Sequence, residues 1–136
     1  MRFLAIDHGI KRTGLAICDA EERIVSPLCV LQGQKDLPQE IAQIISREEV
    51  GAVVLGLPLN MDGSEGPQAH KVKAFAERLK QHAQVPVFFQ DERLSSFGAH
   101  EKLESTGLAK ARKRSLLDAV AAAEILQSFL DQRSGA

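Results

Sequence analysis

The sequence predicts an α/β fold with a mixed five-stranded sheet flanked by helices. Two continuous apolar runs, residues 3–6 and 52–57, have the composition of strands that are buried on both faces, which is typical of parallel neighbours. The first run opens a meander of three strands, because the two segments that follow it are short, strand-like and joined by turns. Helical and strand patterns then alternate as α-β-α-β-α, which is the order expected for such a sheet.

The first three predicted strands cover residues 3–6, 13–18 and 24–31. The first strand ends on Asp7, and a basic turn framed by two glycines leads into the second strand. Pro27 interrupts the third strand, and proline is tolerated at a sheet edge or at a bulge. We therefore expect the third strand to lie at an edge of the sheet.

The rest of the chain alternates between apolar residues at helical spacing and short β-branched runs. We expect Asp36 to cap the first helix, Gly51 to end it, and Ser95 or Ser96 to cap the helix predicted at 96–104. In chain order, these helices and strands are predicted at residues 37–49, 52–57, 67–82, 85–89, 96–104 and 115–130.

The composition is that of a packed globular protein. With 136 residues, of which 44% are hydrophobic, the chain is long enough for one core, and we treat residues 1–136 as a single domain. The apolar run after Met1 is too short for a secretory leader or a membrane span, so no membrane association is expected.

The two cysteines, Cys18 and Cys29, are predicted on consecutive strands. A tight hairpin between these strands would pair Cys18 with about Val25, so the two sulfur atoms should not face each other. We therefore expect two reduced thiols, as in a cytosolic protein.

Acidic residues stand where three predicted strands end. Asp7 follows the first strand, the segment 56–64 follows the fourth, and Asp91 and Glu92 follow the fifth. In open α/β sheets, ligands bind beyond the carboxyl ends of the parallel strands. These carboxylates are therefore predicted to face one site, although an aspartate that only caps a turn is a common alternative.

The last predicted helix contributes a further acid. Asp118 is the only charged residue within residues 116–123, and a lone carboxylate on an apolar helix needs a partner or a cation. The spacing from Ser115 to Asp118 also matches a capping box, which would place Asp118 at the positive end of the helix dipole. Both roles remain open from the sequence, and they are compatible with each other.

Several carboxylates at one edge of a sheet suit the hydrolysis of phosphodiesters assisted by two divalent ions. Mg²⁺ and Mn²⁺ prefer such hard oxygen ligands. The four histidines show no paired spacing typical of a zinc site.

Basic residues accompany these acids, although the net charge of −1 gives no overall indication of nucleic-acid binding. Lys11 and Arg12 follow Asp7 closely, and four cations lie within five positions before the last predicted helix. Such clusters are commonly solvated surface, but next to an acidic site they are candidate phosphate contacts. The four cations are Lys110, Arg112, Lys113 and Arg114.

Five motifs in this order resemble the YqgF/RuvX family, Holliday-junction-resolvase-like proteins of the ribonuclease H-like superfamily. The resemblance covers about residues 2–130. This sequence departs from the family pattern mainly at Ser95 and Ser96, where the family frequently has two threonines. The motifs are Asp-His-Gly-Ile-Lys-Arg-Thr-Gly at 7–14, Gly-Leu-Pro at 56–58, Met-Asp-Gly-Ser-Glu-Gly at 61–66, Asp-Glu-Arg-Leu-Ser-Ser at 91–96, and Asp118 with Ala-Ala at 121–122 and Ile-Leu-Gln at 125–127.

The resemblance implies a ribonuclease H-like fold and a cytoplasmic nuclease that depends on Mg²⁺ or Mn²⁺. By motif, Asp7, Glu92 and Asp118 would be the catalytic acids and the metal ligands. Asp91 is an alternative to Glu92, because alternation along a strand lets only one of the two side chains point into the site.

The resemblance also implies a nucleic-acid substrate. Processing of the 5′ end of precursor 16S ribosomal RNA is the favoured activity, and resolution of four-way DNA junctions is the alternative. Lys11, Arg12 and Arg93 would contact phosphates, and the cations at 110–114 would form a backbone-binding edge. A monomer or a weak homodimer is expected.

Two other classes of function were considered. A phosphate-binding kinase or actin-like ATPase shares an Asp-x-Gly turn, but it binds nucleotide between two such domains, and the turn here lacks the Lys-Ser/Thr of a P-loop. A non-catalytic RNA-binding factor could keep the same fold, although the presence of all the acids argues against it.

Overall fold

A computed structural model describes residues 1–92 and 110–134, with the side chains of residues 110–116 outside the description. Five strands form one sheet in the order β3-β2-β1-β4-β5, and three helices are described. The strands are β1 (Phe3–His8), β2 (Arg12–Cys18), β3 (Val25–Gln32), β4 (Ala52–Leu57) and β5 (Val87–Asp91). The helices are α1 (Leu37–Arg47), α2 (Pro67–Lys80) and α3 (Lys110–Arg133).

The sheet is mixed, as the sequence predicts. β1 pairs antiparallel with β2 and parallel with β4, and β4 pairs parallel with β5. The two long apolar runs are therefore the central parallel strands, and the carboxyl ends of β1, β4 and β5 meet at one edge of the sheet.

Alternation along β1 divides the core into two layers. Leu4 and Ile6 pack into the cluster that α1 and α2 form on one face of the sheet. Phe3 and Ala5 pack into a second cluster with α3 on the other face. Because successive side chains point to opposite faces, Asp7 belongs to the α3 face and His8 to the face of α1 and α2.

β3 is an edge strand of the sheet, and its register confirms the predicted hairpin. Cys18 pairs with Val25, and the register shifts by one residue between the partners of Leu15 and Ala16, which places a bulge next to Pro27. Both cysteines are free, and they contribute to the core clusters on opposite faces of the sheet.

The last helix differs from its predicted bounds. α3 begins at Lys110 and not at Ser115, so Asp118 lies about two turns inside the helix. The capping-box interpretation of residues 115–118 is therefore wrong, because only the first turn of a helix offers unpaired N–H groups to a cap.

Two predicted helix ends are also corrected. Asp36 occupies the N-cap position of α1, but it has φ 56° and its side chain makes no capping hydrogen bond, since capping requires an extended backbone there. Gly51 does not end α1, which stops at Arg47, and the left-handed residue that follows is Glu49 with φ 56°. The N–H of Gly51 instead donates to the carbonyl of Arg2 at 2.8 Å.

The other bounds shift by a few residues. α2 ends at Lys80, and β5 runs from Val87 to Asp91, which brings Glu92 directly after the strand. The predicted helix at 96–104 lies outside the described residues. None of the helices in the described segments has the length and apolar composition that crossing a membrane requires.

Candidate active site

Asp7 and Glu92 lie side by side at the carboxyl ends of β1 and β5. Asp7 points to the α3 face of the sheet, and Glu92 is anchored by its N–H, which donates to the carbonyl of Leu57 at 3.3 Å. The Glu92 carboxyl then lies over Gly56 of β4, because a Cβ at that glycine would be 2.5 Å from Glu92 Oε2 and 2.6 Å from Ile125 Cδ1. Glycine at this position therefore leaves room for the acid between β4 and α3.

The two acids form a coupled pair. Burial raises the pKa of Glu92 to about 8, and the neighbouring charge of Asp7 raises it further in the same direction. Burial also raises the pKa of Asp7 to about 6, although the hydrogen bond from Glu92 opposes that rise. At neutral pH and without a cation, a protonated Glu92 thus donates a hydrogen bond to an ionised Asp7.

Strand register decides which of the two adjacent acids faces this site. Gln90 lies opposite Gly56, and Asp91 lies opposite Leu57, whose side chain belongs to the core on the face of α1 and α2. Alternation therefore directs Glu92, and not Asp91, to the α3 face beside Asp7. The charge of Asp91 still contributes to the raised pKa of Glu92.

Asp118 reaches the site from α3. Its negative charge raises the pKa of Asp7, which shows that the two carboxylates are electrostatic neighbours. The helix lies very close to β2 here, because a Cβ on Gly14 would be 1.9 Å from the Asp118 carbonyl oxygen. Gly14 is also the β2 partner of Asp7, so one glycine places α3 directly beside the first acid.

The Asp118 carboxylate forms an ion pair with a cationic side chain. Arg12 Nε donates to Asp118 Oδ2 at 2.7 Å. Arg12 was predicted as a phosphate contact, and in this structure its guanidinium is held against the acidic site. A cavity of about 420 Å³ opens next to this pair and is lined by Gly9, Ile10, Lys11, Arg12, Gln68 and Asp118.

Three acids predicted as metal ligands are thus brought to one edge, but they do not form a closed ligand set. Among the described residues, no three histidine, cysteine or acidic side chains are grouped closely enough to hold a metal ion. The oxygen donors nevertheless fit Mg²⁺ or Mn²⁺, because Asp7 and Glu92 are adjacent carboxyl groups and burial raises the pKa of both, which a bound cation would offset.

The remaining predicted contacts are only partly described. Lys11 lies in the turn after β1 and lines the cavity. Arg93 lies outside the described residues. The basic cluster at 110–114 forms the start of α3, and its side chains are outside the description.

Sequence reasoning missed two features of this edge. The ring of His8 stacks on Phe75 with centroids 4.4 Å apart, and its Nε2 lies 3.1 Å from Gln34 Oε1. Gln34 Nε2 also donates to the carbonyls of Gly9 and Ile10, so it supports the turn beside Asp7. No local signal in the sequence indicated Gln34, which lies in the loop after β3.

Comparisons with known proteins identify the family. A family model described as RuvX, Holliday junction resolvase, matches residues 1–132. A protein of Anaeromyxobacter sp. (strain Fw109-5) named "Putative pre-16S rRNA nuclease" is 46% identical over 98% of both chains. A protein of the same name from Chloroflexus aurantiacus (strain ATCC 29366 / DSM 635 / J-10-fl) is 41% identical over 96% of this chain and 86% of its own length.

Solved structures agree on the fold. T. thermophilus RuvC in complex with a Holliday junction substrate superposes with a TM-score of 0.62 at 20% identity, over 99% of this chain and 97% of that chain. The fowlpox virus Holliday junction resolvase gives a TM-score of 0.60 at 15% identity, over 97% and 99% of the two chains. These likenesses confirm the predicted ribonuclease H-like fold. The chain belongs to the RuvX family, and the predicted enzyme class, a nuclease, is confirmed.

Proposed function

We propose that this protein is a cytoplasmic, metal-dependent nuclease that hydrolyses phosphodiester bonds in RNA, with the precursor of 16S ribosomal RNA as its substrate. The observation that carries the proposal is the buried Asp7–Glu92 pair at the carboxyl ends of β1 and β5. Burying two acids side by side costs stability, so such a pair is expected at a working site more than at a purely structural one. The names of the relatives support the choice of substrate.

Asp7 and Glu92 are the residues that would hold the divalent ion, with Asp118 as the third ligand. Glu92 must lose the proton that it donates to Asp7, and Asp118 must exchange its contact with Arg12. A bound Mg²⁺ or Mn²⁺ would supply a Lewis acid for the phosphoryl oxygen and lower the pKa of a water nucleophile.

Arg12 and Lys11 have the position to bind the substrate. Both line the cavity that opens beside Asp118. A guanidinium released from Asp118 would bind a phosphate oxygen through charge-assisted hydrogen bonds and would orient the scissile group above the acids. The same cation thus neutralises Asp118 before the substrate arrives and stabilises the phosphate afterwards.

Four-way DNA junctions are the second candidate substrate. The family description and the likeness to a resolvase in complex with a junction favour this activity. Symmetric resolution needs two active sites related by a two-fold axis, whereas one chain carries one set of acids. We therefore rank RNA first and retain a monomer or a weak homodimer as the expected state.

The proposal is tested by comparing two labelled substrates under identical salt and ions. We expect the leader of precursor 16S RNA to be cut in Mg²⁺ or Mn²⁺ and to remain intact in excess chelator. Asp7→Asn, purified in parallel, should be inactive and thereby excludes a contaminating nuclease. Symmetric nicking of a four-way junction, with the RNA untouched, would reverse the choice of substrate, and cleavage in chelator would contradict the metal requirement.

A further inference from the structure

A second cavity adjoins the one beside Asp118. It has a volume of about 240 Å³, and it lies between the turn after β1 and the exposed face of α2. The two cavities share Ile10 and Gln68, so they form neighbouring parts of one surface that begins at the acidic site. The other residues of the second cavity are His8, Gln34, Lys71, Ala74 and Arg78.

Two cations, Lys71 and Arg78, line this cavity. Lys71 and Arg78 are separated by two turns of α2 and therefore lie on the same face of the helix. Within residues 1–92 and 117–134, neither makes an ion pair, whereas Lys73 is bound to Glu65 and Lys80 to Glu77. The guanidinium of Arg78 is placed over the Phe75 ring, 5.9 Å from its centroid. The cavity therefore offers two positive charges that no carboxylate of the described residues pairs with.

The opposite wall is apolar and firmly supported. The side chain of Ile10 is 67% exposed although it is large and hydrophobic. The turn that carries it is held by Gln34, which donates to the carbonyls of Gly9 and Ile10 at 2.8 and 3.1 Å. An apolar side chain on a supported turn, in the same cavity as two cations, matches the chemistry of a nucleotide, whose base is flat and apolar on its faces and whose phosphate is anionic.

We infer that this second cavity, lined by Ile10, Lys71 and Arg78, binds a nucleotide of the RNA strand next to the scissile phosphate. Lys71 and Arg78 contact its phosphate, Ile10 packs against its base, and the amides of Gln34 and Gln68 are within the cavity for polar groups of the sugar or the base. The inference rests on the proposed function for the position of the scissile bond. It extends the predicted phosphate contacts from β1 and α3 to the exposed face of α2.

The test is binding of a labelled single-stranded RNA in chelator, measured by fluorescence anisotropy at several salt concentrations. We expect the double variant Lys71→Ser/Arg78→Ser to bind about tenfold more weakly and to lower the salt slope by about 0.7, because each phosphate of a single strand that the protein neutralises contributes about 0.7. The matched control is Lys73→Ser/Lys80→Ser, which removes the same charge from the same helix at positions that are already paired. Equal losses in the two double variants would overturn the inference.

A second variant guards against loss of folding. Ala74 is exposed and lies between the two cations, at i+3 from Lys71 and i−4 from Arg78. Ala74→Glu forms helix-stabilising pairs with both cations and adds negative charge to the cavity, so it should weaken RNA binding while the protein stays folded. Ala74→Gln has the same size without the charge and should bind several-fold more tightly than Ala74→Glu. Equal binding by the two Ala74 variants would contradict the inference.

The outcome separates the inference from the proposed function. If the wild type cuts RNA and the Lys71/Arg78 variant binds as the control does, the function stands and the nucleotide site is wrong. If the wild type cuts no RNA but binding falls only in the Lys71/Arg78 and Ala74→Glu variants, the proposed nuclease substrate is wrong and the RNA-binding site stands.

Discussion

Arg12 and Asp118 are 106 positions apart in the sequence, and they are joined by an ion pair of 2.7 Å that links β2 to α3. The side chains are 31% and 23% exposed, so solvent screens the pair and its net contribution to folding stability is small. Its importance lies in the site, where it keeps the charge of Asp118 balanced close to Asp7. This pairing also decides what Asp118 substitutions should do.

Asp118→Asn should separate the role of this residue in the site from any role in stability. Because Asp118 does not cap α3, its substitution should change the free energy of unfolding in chelator by less than about 1 kcal/mol, which is the range of an exposed ion pair. The rise in melting temperature on addition of Mn²⁺ should disappear, together with cleavage, because a ligand is lost. The control is Asp131→Asn, an exposed acid on the same helix, which should melt and cleave as the wild type does. A fully active Asp118→Asn would show that Asp118 is not a ligand.

Glu92→Gln should change how stability depends on pH. The pKa of Glu92 is about 8 in the folded protein and near 4.5 when unfolded, so between these values the folded state holds a proton that the unfolded state has released. Stability without metal should therefore fall as pH rises through that window, and Asp7 adds to the fall up to about pH 6.

Urea unfolding in chelator at pH 5 and pH 8 measures this effect. Glu92→Gln retains an amide that can donate to Asp7 but has no charge, so at pH 8 it should be more stable than the wild type by on the order of 4 kcal/mol, while cleavage is lost. Asp91→Asn, on the other face of the sheet, is the matched control and should keep cleavage. Equal pH dependence of Glu92→Gln and the wild type would contradict the assigned pKa.

Gly14→Ala should push α3 away from the sheet. The added Cβ would be 1.9 Å from the Asp118 carbonyl oxygen and 2.9 Å from the Ala119 nitrogen, and these are backbone atoms that cannot rotate away. We expect a loss of about 3 kcal/mol in unfolding free energy and reduced Mn²⁺ stabilisation, since Asp118 moves with the helix. Gly66→Ala, whose Cβ would be 3.2 Å from the Asn60 side chain, should cost much less. Similar effects of the two substitutions would argue against the close packing of α3 on β2.

Replacing the four cations at the start of α3 by serine should weaken RNA binding and reduce its dependence on salt. Cations in the first turn of a helix interact unfavourably with the helix dipole, so removing them should not destabilise α3. A role in RNA binding therefore explains their presence better than a role in helix stability. The slope of log affinity against log salt should fall by up to about 3 if each of the four contacts a phosphate of a single strand. An unchanged slope would identify the cluster as ordinary solvated surface. The variant changes Lys110, Arg112, Lys113 and Arg114 together.

Local patterns predicted most of the sheet and the edge where the site lies. The two apolar runs became β1 and β4, the proline-containing segment became an edge strand, and Asp7 was found at the end of β1. These predictions succeeded because strand burial and turn formation depend on neighbouring residues. The start of α3 and the left-handed conformation at Asp36 were missed, since tertiary packing can extend a helix and override a capping preference.

The sequence by itself determined which residue types this protein brings to its site, namely acids at strand ends with basic residues beside them. The tertiary structure alone decided that Glu92 and not Asp91 faces Asp7, because a register difference of one residue reverses the face of a strand. It also decided that Arg12 pairs with Asp118 and that α3 lies against Gly14. Both contacts join residues about a hundred positions apart, and such contacts depend on how the helix packs on the sheet, which local sequence patterns do not specify.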